Sequence, residues 1–380
     1  MKKKLWKFIL TCAICVAVSG CADHQEQNIA IETQNVNQTI IENEIAKQST
    51  IETEISGDKE KHINMELCEN VEVNADIEVP NNFSYRANRY KAYVEPFVKE
   101  DVWALFGLSK QDMEELSDNH LYRKENTFFE FSDEISGTLY IKTENAGCYY
   151  MYHSIYLDIE GCSTIENLGE DKELDFLSGK KASEEVIEQL RKIGINNAVV
   201  KHIYALPVEY HQCIEKDRLK NGIITEDEMV GERWNDIGGC YEIVLTTEYD
   251  DISISEDEYV AQDDSAYNGG KIVVFYSKDG IQRLEVPNQY RIIENDYETV
   301  QILEKDKILD IIKKKMDNII LTETYTVTKL ELCYFPQIIN KKSGDFLLQP
   351  IWKVEIKGEN VEDMENITYL FKADTGEEIQ

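Results

Sequence analysis

Basic residues are scarce in this chain of 380 residues. Lys and Arg number 40 against 73 Asp and Glu, which gives a formal charge of −33 at pH 7. A body this acidic repels the phosphates of nucleic acid, so nucleic-acid binding is excluded as a function. The partners that this charge favours are cations, basic peptides or basic protein faces. The alternative is simply a soluble acidic surface.

The chain also lacks the short motifs that mark common catalytic sites. It contains no H-E-x-x-H, no G-x-S-x-G, no Walker loop and no dinucleotide fingerprint. After Cys21 it contains no C-x-x-C pair, so neither a zinc site nor a redox centre is indicated. No cofactor is predicted.

Long hydrophobic runs are missing as well, except at the N-terminus. Several lysines flank an apolar run of about 14 residues from Leu5 to Val18, which is shorter than the roughly 20 that span a membrane. Val18-Ser19-Gly20-Cys21 follows, where small residues fit a signal peptidase and the Cys21 thiol can take diacylglycerol. This pattern predicts a bacterial lipoprotein anchored through Cys21 at the outer face of the cytoplasmic membrane.

The remaining chain divides by composition and periodicity. Residues 22–63 contain no aromatic residue or proline, which is typical of a tether. The predicted organisation is a signal peptide at 1–20, a flexible tether at 21–63, an N-terminal strand-rich α+β region at 64–179, a helix-plus-sheet module at 180–296 and a C-terminal helix-plus-sheet module at 297–380.

Cysteine usage does not indicate a disulfide scaffold. Two of the nine cysteines leave with the signal peptide and Cys21 is lipidated. The others are widely scattered, so their pairing stays open, with mostly free and partly buried thiols favoured. They are Cys68, Cys148, Cys162, Cys213, Cys240 and Cys333.

Two regions share one order of elements. In the first, Ser183 is predicted to cap a helix that precedes strands, among them Val199–Tyr210. In the second, a helix that ends in Lys313, Lys314 and Lys315 precedes further strands. The repeated order predicts an α+β fold, with antiparallel sheets each packed with a helix in two related modules.

The second of these regions resembles the PepSY-like domains of exported bacterial proteins. The residues that carry the likeness are Leu330–Tyr334, Gln349–Val354 and Tyr369–Ile379. From about residue 64 the chain also resembles uncharacterised clostridial lipoproteins with a domain of unknown function. Both resemblances imply binding, inhibition or regulation more than catalysis, and they bring no catalytic residues.

Two groups of side chains are candidates for chemistry. The acidic stretch that contains Asp250, Asp251, Asp257 and Glu258 could hold calcium, although it lacks the EF-hand spacing and also suits a solvated loop. His202 and His211 lie on or beside the predicted strand Val199–Tyr210, with Cys213 nearby. On a regular strand these histidines project to opposite faces, which argues against a shared metal.

Two functions stay open. A non-enzymatic binding or regulatory module at the cell envelope, with an envelope protein or peptide as partner, ranks first because exposed strand edges offer unpaired backbone groups. The alternative is a lipid-anchored envelope hydrolase with a carboxylate-based site. The acids Asp171, Glu173 and Asp175 keep that alternative open.

Overall fold

The computed structural model describes residues 62–95, 97–105, 127–130, 137–141, 148–152, 172–257, 259–260, 266–267, 269–319, 321, 323–340, 344–359 and 367–379. The predicted signal peptide, Cys21 and nearly all of the predicted tether lie outside these residues.

The described residues form strands joined by a small number of helices. The strands are β1 (His62–Cys68), β2 (Val71–Glu78), β3 (Arg86–Val94), β4 (Thr127–Glu130), β5 (Gly137–Ile141), β6 (Cys148–Tyr152), β7 (Ala198–Leu206), β8 (Cys240–Tyr249), β9 (Ile252–Ser253), β10 (Tyr259–Val260), β11 (Ala266–Tyr267), β12 (Ile272–Ser277), β13 (Gly280–Val286), β14 (Tyr290–Gln301), β15 (Tyr325–Asn340), β16 (Asp345–Gly358) and β17 (Ile367–Lys372). The α-helices are α1 (Lys99–Leu105), α2 (Gly179–Lys192), α3 (Val208–Lys220), α4 (Trp234–Ile237) and α5 (Lys305–Met316).

One sheet, the terminal sheet, combines strands from both ends of the described chain. Its order is β1-β2-β15-β16-β3-β14, and β17 pairs with the part of β16 that β3 leaves free. The long hairpin of β15 and β16 forms its centre. β2 runs parallel to β15, whereas the other neighbours are antiparallel. The hairpin therefore carries strands from distant parts of the sequence on both sides.

The second sheet, the central sheet, comes from the middle of the chain. Its order is β4-β5-β6-β13-β12-β8-β7, and β9 pairs with the end of β8. These pairs are antiparallel. β7 is an edge strand, a position that matters for the site described below.

Helices cover the sheets through apolar stripes. α5 buries Ile308, Leu309 and Ile312 against the terminal sheet. α2 packs on one face of the central sheet, where Val274 of β12 points. Phe275, its neighbour, points to the opposite face and packs in a core with residues of α3 and α4. Successive side chains of β12 point to opposite faces of the central sheet, and helices cover both of these faces.

The predicted α+β fold of two helix-plus-sheet modules is wrong. The structure is mostly β, with 49% strand and 24% helix, and is built around two sheets. β15 to β17 share a sheet with β1 to β3, which precede them by most of the described chain. Periodicity identifies a strand and its buried face, but it does not determine which distant strands pair.

Two local predictions are also wrong. The cap of α2 is Ser178, whose Oγ accepts from the N–H of Lys181 at 3.4 Å, whereas Ser183 lies buried within the helix. The strand predicted to reach Tyr210 ends at Leu206. Pro207 follows at the N-cap of α3, where its missing N–H costs nothing.

Gly376 allows the turn after β17 to approach α5. Its φ is +73°, and a Cβ there would lie 2.4 Å from Ile311 Cδ1. We expect Gly376→Ala to lower the free energy of unfolding by about 2–4 kcal/mol, through backbone strain and overpacking. The matched control is Gly222→Ala, since Gly222 has a φ of +69° with open space around it. Urea denaturation measures the free energy of unfolding of both variants. Equal losses of free energy in the two variants would show that the contact between Gly376 and α5 has no effect.

Candidate binding cleft between the sheets

The β8–β9 hairpin brings the central sheet to the terminal sheet. Asp250 and Asp251 form its two-residue turn with φ of 51° and 61°, the backbone that tight hairpins require. Beyond β9, Ile254 forms a parallel bridge with Tyr334 of β15, and the N–H of Ser255 donates to the Tyr334 carbonyl at 2.9 Å. The chain therefore reaches the same edge of β15 that β2 occupies further along.

A cleft opens between these two neighbours of β15. The pairing of β2 with β15 ends at Glu78 and Glu331. Pro80 stands at the next donor position of this ladder and has no N–H to give. The cleft has a volume of about 740 Å³, within the range of ligand sites. It is lined by Asp76, Ile77, Glu78, Val79, Pro80, Asn81, Lys201, Glu248, Asp251, Ser253, Glu331 and Leu332.

Four alternating charges, Glu78, Lys201, Lys329 and Glu331, are here named the charge quartet. Glu78, Lys201 and Glu331 line the cleft, and Lys329 contacts Glu78 and Glu331 from outside the lining. The carboxylate of Glu331 lies 2.9 Å from Lys201 Nζ and 3.1 Å from Lys329 Nζ. Glu78 lies 3.2 Å from Lys329 Nζ and 3.9 Å from Lys201 Nζ. Each carboxylate thus faces both ammonium groups.

Lys201 is the member that comes from the other sheet. In the pairing of β7 with β8, Val200 faces Leu245 and His202 faces Val244, so Lys201 is the extra residue of a β-bulge. A bulge redirects the side chain of the residue that it inserts. Here the bulge on an edge strand of the central sheet lets Lys201 reach Glu331 of the terminal sheet.

Lys201 and Glu331 are charged despite their burial. Glu331 is only 7% exposed, and burial raises the pKa of its carboxyl. Lys201 and Lys329 more than offset this effect, so that the pKa of Glu331 is lowered. For Lys201, burial lowers the pKa, but Glu331 and Glu78 outweigh it and the pKa is raised. The contact between the sheets is therefore a true ion pair at neutral pH.

A second ion-pair group lies along the same face of the terminal sheet. Lys353 Nζ lies 2.5 Å from Asp257 and 3.1 Å from Glu355. Asp257 follows the segment that bridges to β15, so this pair also joins the sheets. Nearby, burial raises the pKa of Glu256, with Lys201 acting in the opposite direction.

The structure separates the residues of the predicted calcium site. Asp250 turns toward β3, where it accepts from the Tyr90 hydroxyl and from Asn88 Nδ2 at 2.9 Å. Asp251 lines the cleft, Asp257 pairs with Lys353, and Glu258 lies outside the described residues. Among the side chains that the structure describes, no group of three or more His, Cys, Asp or Glu could hold a metal ion. Calcium binding stays a prediction.

His202 and His211 lie on different elements. His202 is on β7, whereas His211 is on α3, stacked on Trp234 with ring centroids 4.7 Å apart. His211 Nε2 lies 3.7 Å from Cys240 Sγ. Burial raises the pKa of the Cys240 thiol, as it also does for Cys333, so neither thiol is poised as a nucleophile.

The other predicted residues have structural positions. Cys68, Cys213, Cys240 and Cys333 are free thiols. Glu173 accepts from the N–H of Gly179 at 2.6 Å and from the Tyr241 hydroxyl at 3.0 Å, so it binds the start of α2. Asp175 is exposed, and Asp171 lies outside the described residues.

Sequence reasoning missed the charge quartet. The available signal was the segment Lys329-Leu330-Glu331-Leu332, in which charges alternate with leucine along a predicted strand. Such alternation normally indicates a solvated face. The charged face of β15 is instead buried, because the central sheet supplies the partner cation.

Comparison with known proteins shows that the fold of this chain occurs in another protein, and it gives no information about function. No family model and no curated protein matches the chain. It is similar to the crystal structure of an uncharacterized protein from Eubacterium rectale ATCC 33656, with a TM-score of 0.58 and 18% sequence identity. The match covers 84% of this chain and 93% of that one. Among the described residues, no helix is long and apolar enough to cross a membrane.

The Lys201–Glu331 pair should couple strongly in stability. We expect Lys201→Met to lower the free energy of unfolding by about 2–4 kcal/mol, because Glu331 loses an ammonium in a buried site. In a double-mutant cycle with Glu331→Gln, followed by urea denaturation, we expect a coupling energy of about 1–3 kcal/mol. Lys314→Met, at an exposed residue of α5, is the control for loss of a lysine. If the losses in free energy of unfolding of the two single variants add up to that of the double variant, the pair contributes no coupling energy.

His211 should make stability depend on pH. Burial lowers its pKa to about 4 from 6.5, so the unfolded chain binds the proton first as the pH falls. Stability is therefore lost between pH 6.5 and 4, by about 3 kcal/mol at about 1.4 kcal/mol per pKa unit. Urea denaturation at several pH values should show that the free energy of unfolding falls less steeply with decreasing pH in His211→Phe than in the wild type. An unchanged slope in that variant would exclude the buried histidine as its source.

Proposed function

We propose that the protein is a lipoprotein, anchored through Cys21 at the outer face of the cytoplasmic membrane, which binds a protein or peptide of the cell envelope in the cleft between its sheets. The lipoprotein part rests on the sequence at Val18–Cys21. The predicted tether would let the binding body stand clear of the bilayer.

The observation that carries the binding role is the cleft itself. It lies at an edge of β15, between β2 and the segment after β9, and its wall includes both apolar side chains and charges. Strand edges and clefts with a few placed polar groups are common recognition surfaces. Ile77 and Val79 supply apolar area, and Glu78, Lys201 and Glu331 supply charges that can give specificity.

The charge state of Glu331 supports binding more than hydrolysis. A general acid or base works best with a pKa near the working pH. The lysines beside Glu331 lower the pKa of its carboxyl instead. The resemblance to PepSY-like domains and to clostridial lipoproteins points the same way, and it stays a prediction, since 18% identity to a solved structure shows a fold alone.

In-cell crosslinking followed by pull-down tests both parts of the proposal. We expect a reproducible envelope partner with the wild type, its loss with Cys21→Ala, and its loss with the cleft variant Glu248→Gln/Asp251→Asn. Asn is chosen at 251 because it tolerates the positive φ. The matched control, Glu226→Gln/Asp227→Asn, changes exposed acids elsewhere and should keep the partner. Retention by the cleft variant would rule out the cleft as the binding surface.

A further inference from the structure

The cleft carries an excess of negative charge on its wall. Its lining contains five carboxylates, Asp76, Glu78, Glu248, Asp251 and Glu331, against the ammonium group of Lys201. Lys329, outside the lining, supplies a second ammonium group to Glu78 and Glu331, so the carboxylates still outnumber the ammonium groups. Glu248 and Asp251 lie on the same hairpin, and the pKa of Glu248 is raised by burial and by the Asp251 charge. A cationic group in the cleft would relieve this repulsion.

The cleft also offers backbone to an extended chain. The parallel ladder between β2 and β15 ends at Glu78 and Glu331, and the donor that would face the Leu332 carbonyl next belongs to Pro80. Proline has no N–H, so β2 cannot donate there. An extended peptide that enters the cleft can donate to this edge of β15, as strand-adding ligands do.

Glu331 and Glu78 already bind an ammonium group that comes from another element. Lys201 Nζ lies 2.9 Å from Glu331 and 3.9 Å from Glu78, and it reaches them from β7 across the gap between the sheets. Lys329, the second ammonium of the quartet, lies on β15 itself. Lys201 therefore occupies the position that the ammonium of an incoming lysine could take.

We propose that the cleft binds an extended peptide through a lysine side chain, whose ammonium displaces Lys201 from Glu331 and Glu78. The proposal rests on the proposed binding function and names its ligand class. The aliphatic part of the lysine contacts Val79, while the carboxylates of Glu248 and Asp251 at the rim attract the approaching ammonium group. Since Lys201 joins the two sheets, binding loosens β7 from the terminal sheet.

The test is calorimetric titration of the full chain with a capped tetralysine peptide at about physiological ionic strength, where distant charges are screened. We expect binding by tetralysine and none by its Nε-acetylated form. Spermidine supplies amines without a peptide backbone, and it should bind at least about tenfold more weakly. Equal binding of spermidine would overturn the peptide assignment, and binding of acetylated tetralysine would overturn the ammonium assignment.

A variant at Lys201 distinguishes binding of tetralysine in place of Lys201 from attraction of tetralysine by the net charge of the protein. Removing the internal competitor in Lys201→Met should tighten tetralysine binding by about three- to tenfold. The matched control Lys314→Met changes the net charge equally at an exposed site and should shift affinity by less than about twofold. Similar tightening by the two variants would show that only net charge matters and would overturn the proposal.

A further variant keeps the test decisive if Lys201→Met does not fold. Glu248→Gln/Asp251→Asn alters the rim, and we expect it to weaken tetralysine binding by about tenfold. Unchanged affinity would overturn the proposal. If tetralysine fails to bind while the crosslinked partner is still lost from this rim variant, the binding function stands and the lysine ligand is wrong. If the rim variant keeps both tetralysine binding and the crosslinked partner, the proposed function itself is contradicted.

Discussion

Glu331 is a carboxylate placed where water scarcely reaches, and the contact between the two sheets supplies one of the two cations that it needs. A buried charge is strongly unfavourable unless it is paired and hydrogen-bonded. β15 supplies one partner, Lys329, from the same strand face, but the second ammonium comes from Lys201 of the central sheet. The bulge in β7 brings Lys201 to this contact, and β2, which ends at Glu78, leaves room beside it.

Other contacts between the sheets surround this pair. The bridge from Ile254 to Tyr334 fixes the hairpin against the edge of β15, and Asp250 holds its turn to Tyr90 of β3. At another position, the Arg291 side chain donates to the carbonyl of Gly194 after α2. Apolar contacts contribute as well, since Ile252 of β9 and Ile254 after it are buried in the core of the terminal sheet. The junction therefore combines apolar burial with pairs of charges.

Local sequence signals predicted elements better than their assembly. The helix at Lys305–Met316 and the long strands after it follow from apolar periodicity and from turn residues, and the structure confirms them. The pairing of β2 with β15 could not be read in this way, since any alternating strand offers a similar edge. Glu331 and Lys329 carry no local signal of burial, because their partner Lys201 lies far away in the sequence. His211 lies on α3 and not beside a strand, because the helix begins directly after Pro207.

The buried Glu331 carboxylate holds β7 of the central sheet against β15 of the terminal sheet. Native-state hydrogen exchange of the wild type and Glu331→Gln tests this contact most directly, because local opening is reported amide by amide. If the account is right, the substitution on β15 increases exchange at the amides of β7 around Lys201 as well as on β15. Faster exchange confined to β15, with β7 unchanged, would contradict a joint held by this carboxylate.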